Sequence, residues 1–133
     1  MQAHLSTVML VDDNETDNFI HRRIIELSGF ANEIQIKSSG KSALEYIRNN
    51  SQNIEKLPNV IFLDINMPIV DGFVFLFEFE NFSEEIKAKS KIVILSSSDS
   101  KRDIDRIVDN EYVVHFITKP LTEEALENLK KHL

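Results

Sequence analysis

Five short apolar runs, each followed by a polar segment long enough for a helix, constrain the fold of this chain more than any other feature. In order along the chain they are VMLV (8–11), EIQIK (33–37), VIFL (60–63), KIVIL (91–95) and VVHFI (113–117). Four of them are nearly continuous and rich in β-branched residues, as in strands covered on both faces, whereas EIQIK alternates and predicts an edge strand. Strands that alternate with helices predict a doubly wound α/β fold, a parallel five-stranded (βα)5 sheet.

The segments between the runs have apolar residues at helical spacing. Helices are predicted over residues 16–27, 40–50, 100–110 and 122–133. In the first of them Phe19, Ile24 and Leu27 recur at this spacing, and Ser28-Gly29 predicts the helix end.

One further segment, GFVFLFEFENF (72–82), has an ambiguous pattern. Its phenylalanines repeat at every second residue from 73 to 79, which is the period of a strand. A strand here would break the alternation of strands and helices, because parallel strands require a crossover of about a dozen residues. We therefore predict a helix in which Phe75, Phe79 and Phe82 form a stripe covered by neighbouring loops. An exposed stripe would instead be a candidate dimer or partner surface.

Length and composition argue against several classes of protein. The 133 residues suffice for one domain with a substantial core, which we assign to residues 1–133. A formal net charge of −7 opposes direct binding to nucleic acid. No apolar run approaches the roughly 20 residues that cross a membrane, and the amino terminus lacks the features of a signal peptide. The chain contains no cysteine, and we expect a cytoplasmic protein.

Acidic, hydroxyl and basic side chains follow the predicted strands at the points where the strands end. They are Asp12 and Asp13 after the first strand, Asp64 after the third, Ser96 after the fourth and Lys119 after the fifth. The carboxyl ends of parallel strands meet at one edge, so these groups are expected to converge. Converging carboxylates repel unless a cation joins them, and Mg²⁺ prefers oxygen ligands. The site therefore suits a phosphoryl group on or near Asp64, whose carboxylate can act as a nucleophile and give an acyl phosphate.

The same residues lie in motifs that resemble those of a known family. The motifs are VMLVDDNE, LDINMP with the following Asp71-Gly72, the serine after KIVIL, and FITKPL. Over nearly its whole length the sequence resembles the receiver domain of two-component response regulators, of the chemotaxis-receiver type. The resemblance implies a flavodoxin-like fold with strand order 2-1-3-4-5, and it favours a cis peptide bond between Lys119 and Pro120.

The resemblance also implies a set of Mg²⁺ ligands around the phosphoacceptor, which is Asp64. Asp13 and Asp64 would bind the metal directly, and Asp12 would bind it largely through water. The backbone carbonyl of Asn66 would complete the ligands from the protein.

A switch is implied as well. Ser96 and Lys119 would contact the phosphoryl oxygens, with the Ser96 hydroxyl moving toward the phosphoryl group and Phe116 turning inward behind it. Four features depart from the family, and two of them are the absence of the customary glycine before the fifth strand and Phe116 in place of the commoner tyrosine. Serine replaces the usual threonine at position 96, and the stretch from Ser96 to Lys119 is one residue longer than usual.

The function implied is that of a single-domain receiver. It would take a phosphoryl group from a histidine kinase or histidine phosphotransfer protein, bind an unidentified downstream protein, and be a monomer or weak dimer. It would catalyse only its own phosphorylation and dephosphorylation. Three alternatives stay open: a receiver cut from a longer regulator, a degenerate receiver that binds partners without phosphorylation, and a Mg²⁺-dependent aspartyl-phosphate phosphohydrolase. The last requires a second aspartate two residues after the nucleophile, where this chain has Asn66.

Overall fold

A computed structural model describes residues 5–98 and 100–133 and contains one parallel five-stranded sheet. The strands are β1 (Leu5–Val11), β2 (Ala31–Lys37), β3 (Val60–Leu63), β4 (Lys91–Ser96) and β5 (Val113–Thr118). The helices are α1 (Glu15–Ser28), α2 (Gly40–Asn49), α3 (Gly72–Phe79), α4 (Glu84–Lys89), α5 (Lys101–Val108) and α6 (Glu123–Lys130). A short 3-10 turn (Ile54–Lys56) precedes β3. The spatial order is β2-β1-β3-β4-β5, which confirms the predicted fold and places EIQIK at an edge.

Each face of the sheet carries its own hydrophobic core. Successive residues of β1 alternate between them: Val8 and Leu10 belong to one core, Met9 and Val11 to the other. Helices α1 and α6 cover the first core, and α2, α3, α4 and α5 cover the second. Because the middle strands are buried on both faces, polar side chains reach water at the strand ends.

The phenylalanine-rich segment is helical, as predicted. Asp71 caps α3 by accepting a hydrogen bond from the Val74 backbone N–H, at 2.9 Å. Phe75 and Phe79 are fully buried with stacked rings, and the partly buried Phe82 meets Phe79 edge-on. The stripe is therefore covered and not exposed, as predicted, but it lies in the second core, where helices and strands as well as loops pack around it.

Helix α4 follows α3 closely and was not predicted from the sequence. It begins after Ser83, whose hydroxyl accepts a hydrogen bond from the backbone N–H of Ile86. Within α4 only Ile86 is buried, so the segment offers almost no apolar periodicity from which a helix could be predicted.

Helix α1 does not pack through its most obvious apolar residues. Phe19 and Leu27 are exposed, whereas Asn18, His21 and Ile25 form the buried stripe. The helix thus directs two polar residues at the sheet, and both lie near the ends of the strands.

Strand β5 contains a local irregularity in its pairing with β4. Val113 pairs with Ile92, but the next residue of β4, Val93, pairs with His115, so one residue of β5 is extra. Beyond this bulge the register is regular as far as the pair Ser96 and Thr118. A bulge of this kind accommodates one extra residue in β5 without changing the pairing that follows it.

Candidate functional site

The predicted site residues converge at the carboxyl edge of the sheet. Asp12, Asp64 and Ser96 are buried, and Asp13 is exposed. The strand ends are held by backbone hydrogen bonds that continue the ladder by one residue. Their donors are the N–H groups of Asp12, Asp64 and Lys119, which bond the carbonyls of Lys37, Val11 and Ser96 at 3.1, 3.0 and 2.9 Å. The backbone positions of Asp12, Asp64 and Lys119 are therefore fixed by the sheet itself.

Lys119 is the cation of the site. Its Nζ atom lies 2.7 Å from Asp12 Oδ2 and 2.7 Å from Asp17 Oδ2, but 3.7 Å from Asp64 Oδ2. Burial disfavours the charged lysine, yet its hydrogen bonds to Asp12 and Asp17 and the nearby charge of Asp64 prevail, and the pKa of Lys119 is raised. The peptide bond between Lys119 and Pro120 is cis, as the resemblance to receiver domains implied.

Asp12 is already engaged by the protein at both carboxylate oxygens. Oδ2 contacts Lys119, and Oδ1 accepts a hydrogen bond from the backbone N–H of Asn14, at 3.0 Å. The Asp12 carbonyl accepts a further bond from the buried side-chain amide of Asn18, at 2.9 Å. Asp12 is thus oriented by β1 and α1 together.

Asp64 is under-satisfied by comparison. Its Oδ1 atom is buried and accepts no hydrogen bond of good geometry from the described part of the chain. Burial first, and then the negative charge of Asp12, raise the pKa of Asp64. The charge of Lys119, and then weaker hydrogen bonding from the Ser96 side chain and the Asn66 backbone, oppose this rise in the pKa of Asp64. A buried carboxylate oxygen without a partner of good geometry is uncommon, and it is open to a ligand at this edge.

Three carboxylates fit a divalent cation by chemistry and spacing. One oxygen each of Asp12, Asp13 and Asp64 lies within 4.8 Å of the others. The unpaired Asp64 Oδ1 and the exposed Asp13 carboxylate are available as ligands, while Asp12 has its own partners. A hard cation that keeps several waters, such as Mg²⁺, suits this set.

The loop after Asp64 is constrained by a close backbone approach. A Cβ atom on Gly72 would lie 2.8 Å from Ile65 Cα and 3.0 Å from the Asp64 carbonyl, so only glycine fits. Asn66 is exposed in this loop. Ile69 is 98% exposed with φ of 65°, a conformation that is strained for a β-branched residue.

Ser96 and Phe116, the two predicted switch residues, occupy adjacent strands on the side of α5. Ser96 is fully buried, and its hydroxyl accepts a hydrogen bond from the Ser98 backbone N–H, at 3.3 Å. Phe116 is half-buried, pairs with Ile94 of β4 and lines a cavity between β5 and α5 together with Ile107.

Two further residues of the site were missed by the sequence analysis. Asp17 bonds Lys119 from the first turn of α1, and the buried His21 lies one turn further along the same helix. Burial, and then the charge of Lys119, lower the pKa of His21, which favours the neutral imidazole. An acidic residue in a first helical turn is ordinary on its own, so Asp17 carried no distinctive signal.

Comparisons with known proteins agree with this geometry. The family model of the response regulator receiver domain matches residues 8–131. The probable methanogenesis regulatory protein FilR2 of Methanothrix harundinacea is 33% identical over 120 residues, 90% of this chain and 76% of that protein. Among solved structures, a two component response regulator from Cytophaga hutchinsonii matches with a TM-score of 0.88 at 32% identity, covering 98% of this chain and 96% of that one. A receiver protein from Dyadobacter fermentans matches with a TM-score of 0.84 at 27% identity, covering 95% of each chain.

None of the described helices is long and apolar enough to span a bilayer.

Proposed function

The chain belongs to the response regulator receiver domain family, and from that premise we propose that it accepts a phosphoryl group on Asp64 in a Mg²⁺-dependent reaction. Phosphorylation would then change its affinity for another protein. The observation that carries this proposal is the buried, unpaired Oδ1 atom of Asp64, which lies at the sheet edge near Lys119.

In the proposed reaction a carboxylate oxygen of Asp64 forms a bond to phosphorus. The phosphorus–nitrogen bond of the donor histidine breaks at the same time, and its electron pair leaves with the imidazole nitrogen. Lys119 offsets negative charge on the transferred oxygens, and its ion pairs keep the ammonium at this edge. Burial of Asp64 limits the access of water to the acyl phosphate formed.

The proposed metal ligands are Asp13 and Asp64 directly, Asp12 largely through water, and the backbone carbonyl of Asn66. Bound Mg²⁺ would neutralise the carboxylates and the transferred oxygens. The bonds that both Asp12 oxygens already make, with the Asn14 backbone N–H and with Lys119, support its less direct role, because a metal there would compete with two existing partners. The unpaired Oδ1 atom of Asp64 and the exposure of Asp13 support direct binding of the metal by these two residues.

The proposed signal is the response of Ser96 and Phe116 to the phosphoryl group. The Ser96 hydroxyl would exchange its contact with the Ser98 N–H for a phosphoryl oxygen. Phe116 lines a cavity, which gives its ring space for a change of position. Charge-assisted bonds of this kind supply the few kcal/mol that bias a two-state element.

Receiver domains of this family interact with histidine kinases and phosphotransfer proteins, and we propose one of these as the phosphodonor. We further propose that the chain is a signalling receiver whose catalysis is limited to its own phosphorylation and dephosphorylation. The monomeric or weakly dimeric state and the cytoplasmic location stay predictions from the sequence.

The proposal is tested by incubating the protein with Mg²⁺ and acetyl phosphate and measuring the intact mass. We expect one phosphoryl adduct that maps to Asp64, is absent with EDTA and is absent in Asp64→Asn. The matched control Asp105→Asn removes an exposed carboxylate of α5 and should be labelled like the wild type. An adduct that persists in Asp64→Asn would contradict the assignment.

A further inference from the structure

Lys119 is shared between two carboxylates, and one of them has no place in the proposed metal site. Its Nζ atom lies 2.7 Å from both Asp12 Oδ2 and Asp17 Oδ2, against 3.7 Å from Asp64 Oδ2. An ammonium has three N–H donors, so two of them are committed to partners other than the proposed phosphoacceptor. The separation from Asp64 exceeds hydrogen-bond distance.

Asp17 is held in place by the start of α1. Its backbone N–H donates to the Asn14 side-chain oxygen, at 2.9 Å, as part of the helix cap. Asp17 does not belong to the set of three carboxylates whose oxygens lie within 4.8 Å of one another. Its position therefore makes it a partner of Lys119 and not a ligand of the metal.

Building on the proposed phosphorylation of Asp64, we propose that Asp17 is a positioning residue that competes with the phosphoryl group for Lys119. In the unphosphorylated protein Asp17 holds the ammonium beside Asp12. A phosphoryl group on Asp64 attracts the same ammonium, and the attraction acts against the ion pair with Asp17.

The burial of the side chains supports a competition for Lys119 between the Asp17 carboxylate and a phosphoryl group on Asp64. The Lys119 side chain is 11% exposed and that of Asp17 is 32% exposed, so the pair is largely shielded from water and from salt. Loss of the Asp17 charge leaves Lys119 with Asp12 and the more distant Asp64, and it weakens the hold on one N–H donor. The affinity of the Asp64 site for a phosphoryl-like anion should therefore rise.

The experiment measures binding of beryllofluoride, a phosphoryl analogue, to the full chain by titration calorimetry in saturating Mg²⁺. We expect Asp17→Asn to lower the dissociation constant about tenfold, which corresponds to about 1.4 kcal/mol. The matched control is Glu15→Gln, which removes an exposed charge from the same helical turn. It should bind within about twofold of the wild type, because a screened surface charge contributes little.

A double-mutant cycle separates the role of Lys119 from a direct effect of charge. In a Lys119→Ala background, Asp17→Asn should no longer change beryllofluoride affinity, because the residue through which Asp17 acts is gone. A tenfold gain that persists in this background would overturn the proposal, since Asp17 would then act on the anion directly. Thermal unfolding of each variant in Mg²⁺ establishes that it is folded.

The outcomes also distinguish this inference from the function on which it rests. Failure of the wild type to bind beryllofluoride would contradict the proposed phosphorylation, and the role of Asp17 would fall with it. Binding by the wild type that Asp17→Asn leaves unchanged or weakens would overturn the role of Asp17 alone.

Discussion

Replacing the proposed phosphoacceptor should make the metal-free protein more stable. The change is Asp64→Asn, which keeps the shape of the side chain and removes its charge. Asp64 is 6% exposed and its Oδ1 atom has no hydrogen-bond partner among the described residues. The ionised carboxylate is therefore poorly solvated, and it lies near other carboxylates.

The magnitude follows from the charges around Asp64. Lys119 Nζ lies 3.7 Å from Asp64 Oδ2, and at an effective dielectric constant of about 20 the variant loses an attraction of about 4.5 kcal/mol. An Asp12 oxygen lies within 4.8 Å of an Asp64 oxygen, and the variant is relieved of a repulsion of at least about 3.5 kcal/mol. It is also relieved of the cost of burying a charge, which is several kcal/mol. After the cost of burying an amide, we expect a net gain of about 1–2 kcal/mol in the free energy of unfolding.

The assay is urea unfolding at pH 7 in EDTA, repeated in Mg²⁺ and at lower pH. Mg²⁺ should stabilise the wild type more than the variant, because the variant has lost one charged ligand. The pKa of Asp64 in the folded protein is raised above its ordinary value of 3.8. At a pH between the ordinary and the raised pKa, the folded wild type therefore binds more protons than the unfolded chain. Its stability should therefore fall as the pH rises through this window, and the advantage of the variant should grow.

A variant that is less stable than the wild type in EDTA at pH 7 would refute this reasoning. It would mean that the attraction of Lys119 outweighs burial and the repulsion by Asp12 together. The control is Asp105→Asn on α5, which removes an exposed charge and should change stability by less than about 0.5 kcal/mol.

Three further predictions concern the surroundings of the site. Gly72→Ala should cost about 1–3 kcal/mol in urea unfolding, because its Cβ would lie 2.8 Å from Ile65 Cα; an unchanged midpoint would contradict the close approach. Ile69→Asn should raise the free energy of unfolding by about 0.5–1 kcal/mol, because asparagine tolerates a φ of 65° and the isoleucine buries nothing; a loss would contradict this. Lys119→Ala should lose about 2–4 kcal/mol without Mg²⁺, since buried Asp12 is left without its cation. The pKa of Lys119 is raised above 10.5, so in the wild type the stabilisation by charged Lys119 should be complete below pH 10.5 and lost above the raised pKa. The variant should show no such loss.

The sheet was predictable because each strand carries its own strong signal. Runs such as VIFL (60–63) are apolar at every position, and both faces of β3 are indeed buried. The helix at 72–79 was predicted against its local pattern by the topology of parallel strands, which outweighs the period of its phenylalanines. Helix α4 escaped prediction because Ile86 alone anchors it in the core.

The convergence of Asp12, Asp64 and Lys119 was predictable from the sequence because strand order places their strand ends at one edge. The contact between Asp17 and Lys119 was not, since it depends on how α1 is rotated about its axis. That rotation buries Asn18, which bonds the Asp12 carbonyl, and leaves Phe19 in water. Hydrophobic periodicity cannot predict a helix face chosen by polar contacts.

The bulge in β5 allows the connection between β4 and β5 to vary in length without loss of the site. An extra residue placed before His115 is absorbed at the irregular pair, and Thr118 still lies opposite Ser96. The same insertion after His115 would shift Lys119 by one position and turn its side chain to the opposite face of the sheet. Lys119 therefore keeps its place at the strand end, where the reaction is proposed to occur, when one residue is added before His115 but not when it is added after His115.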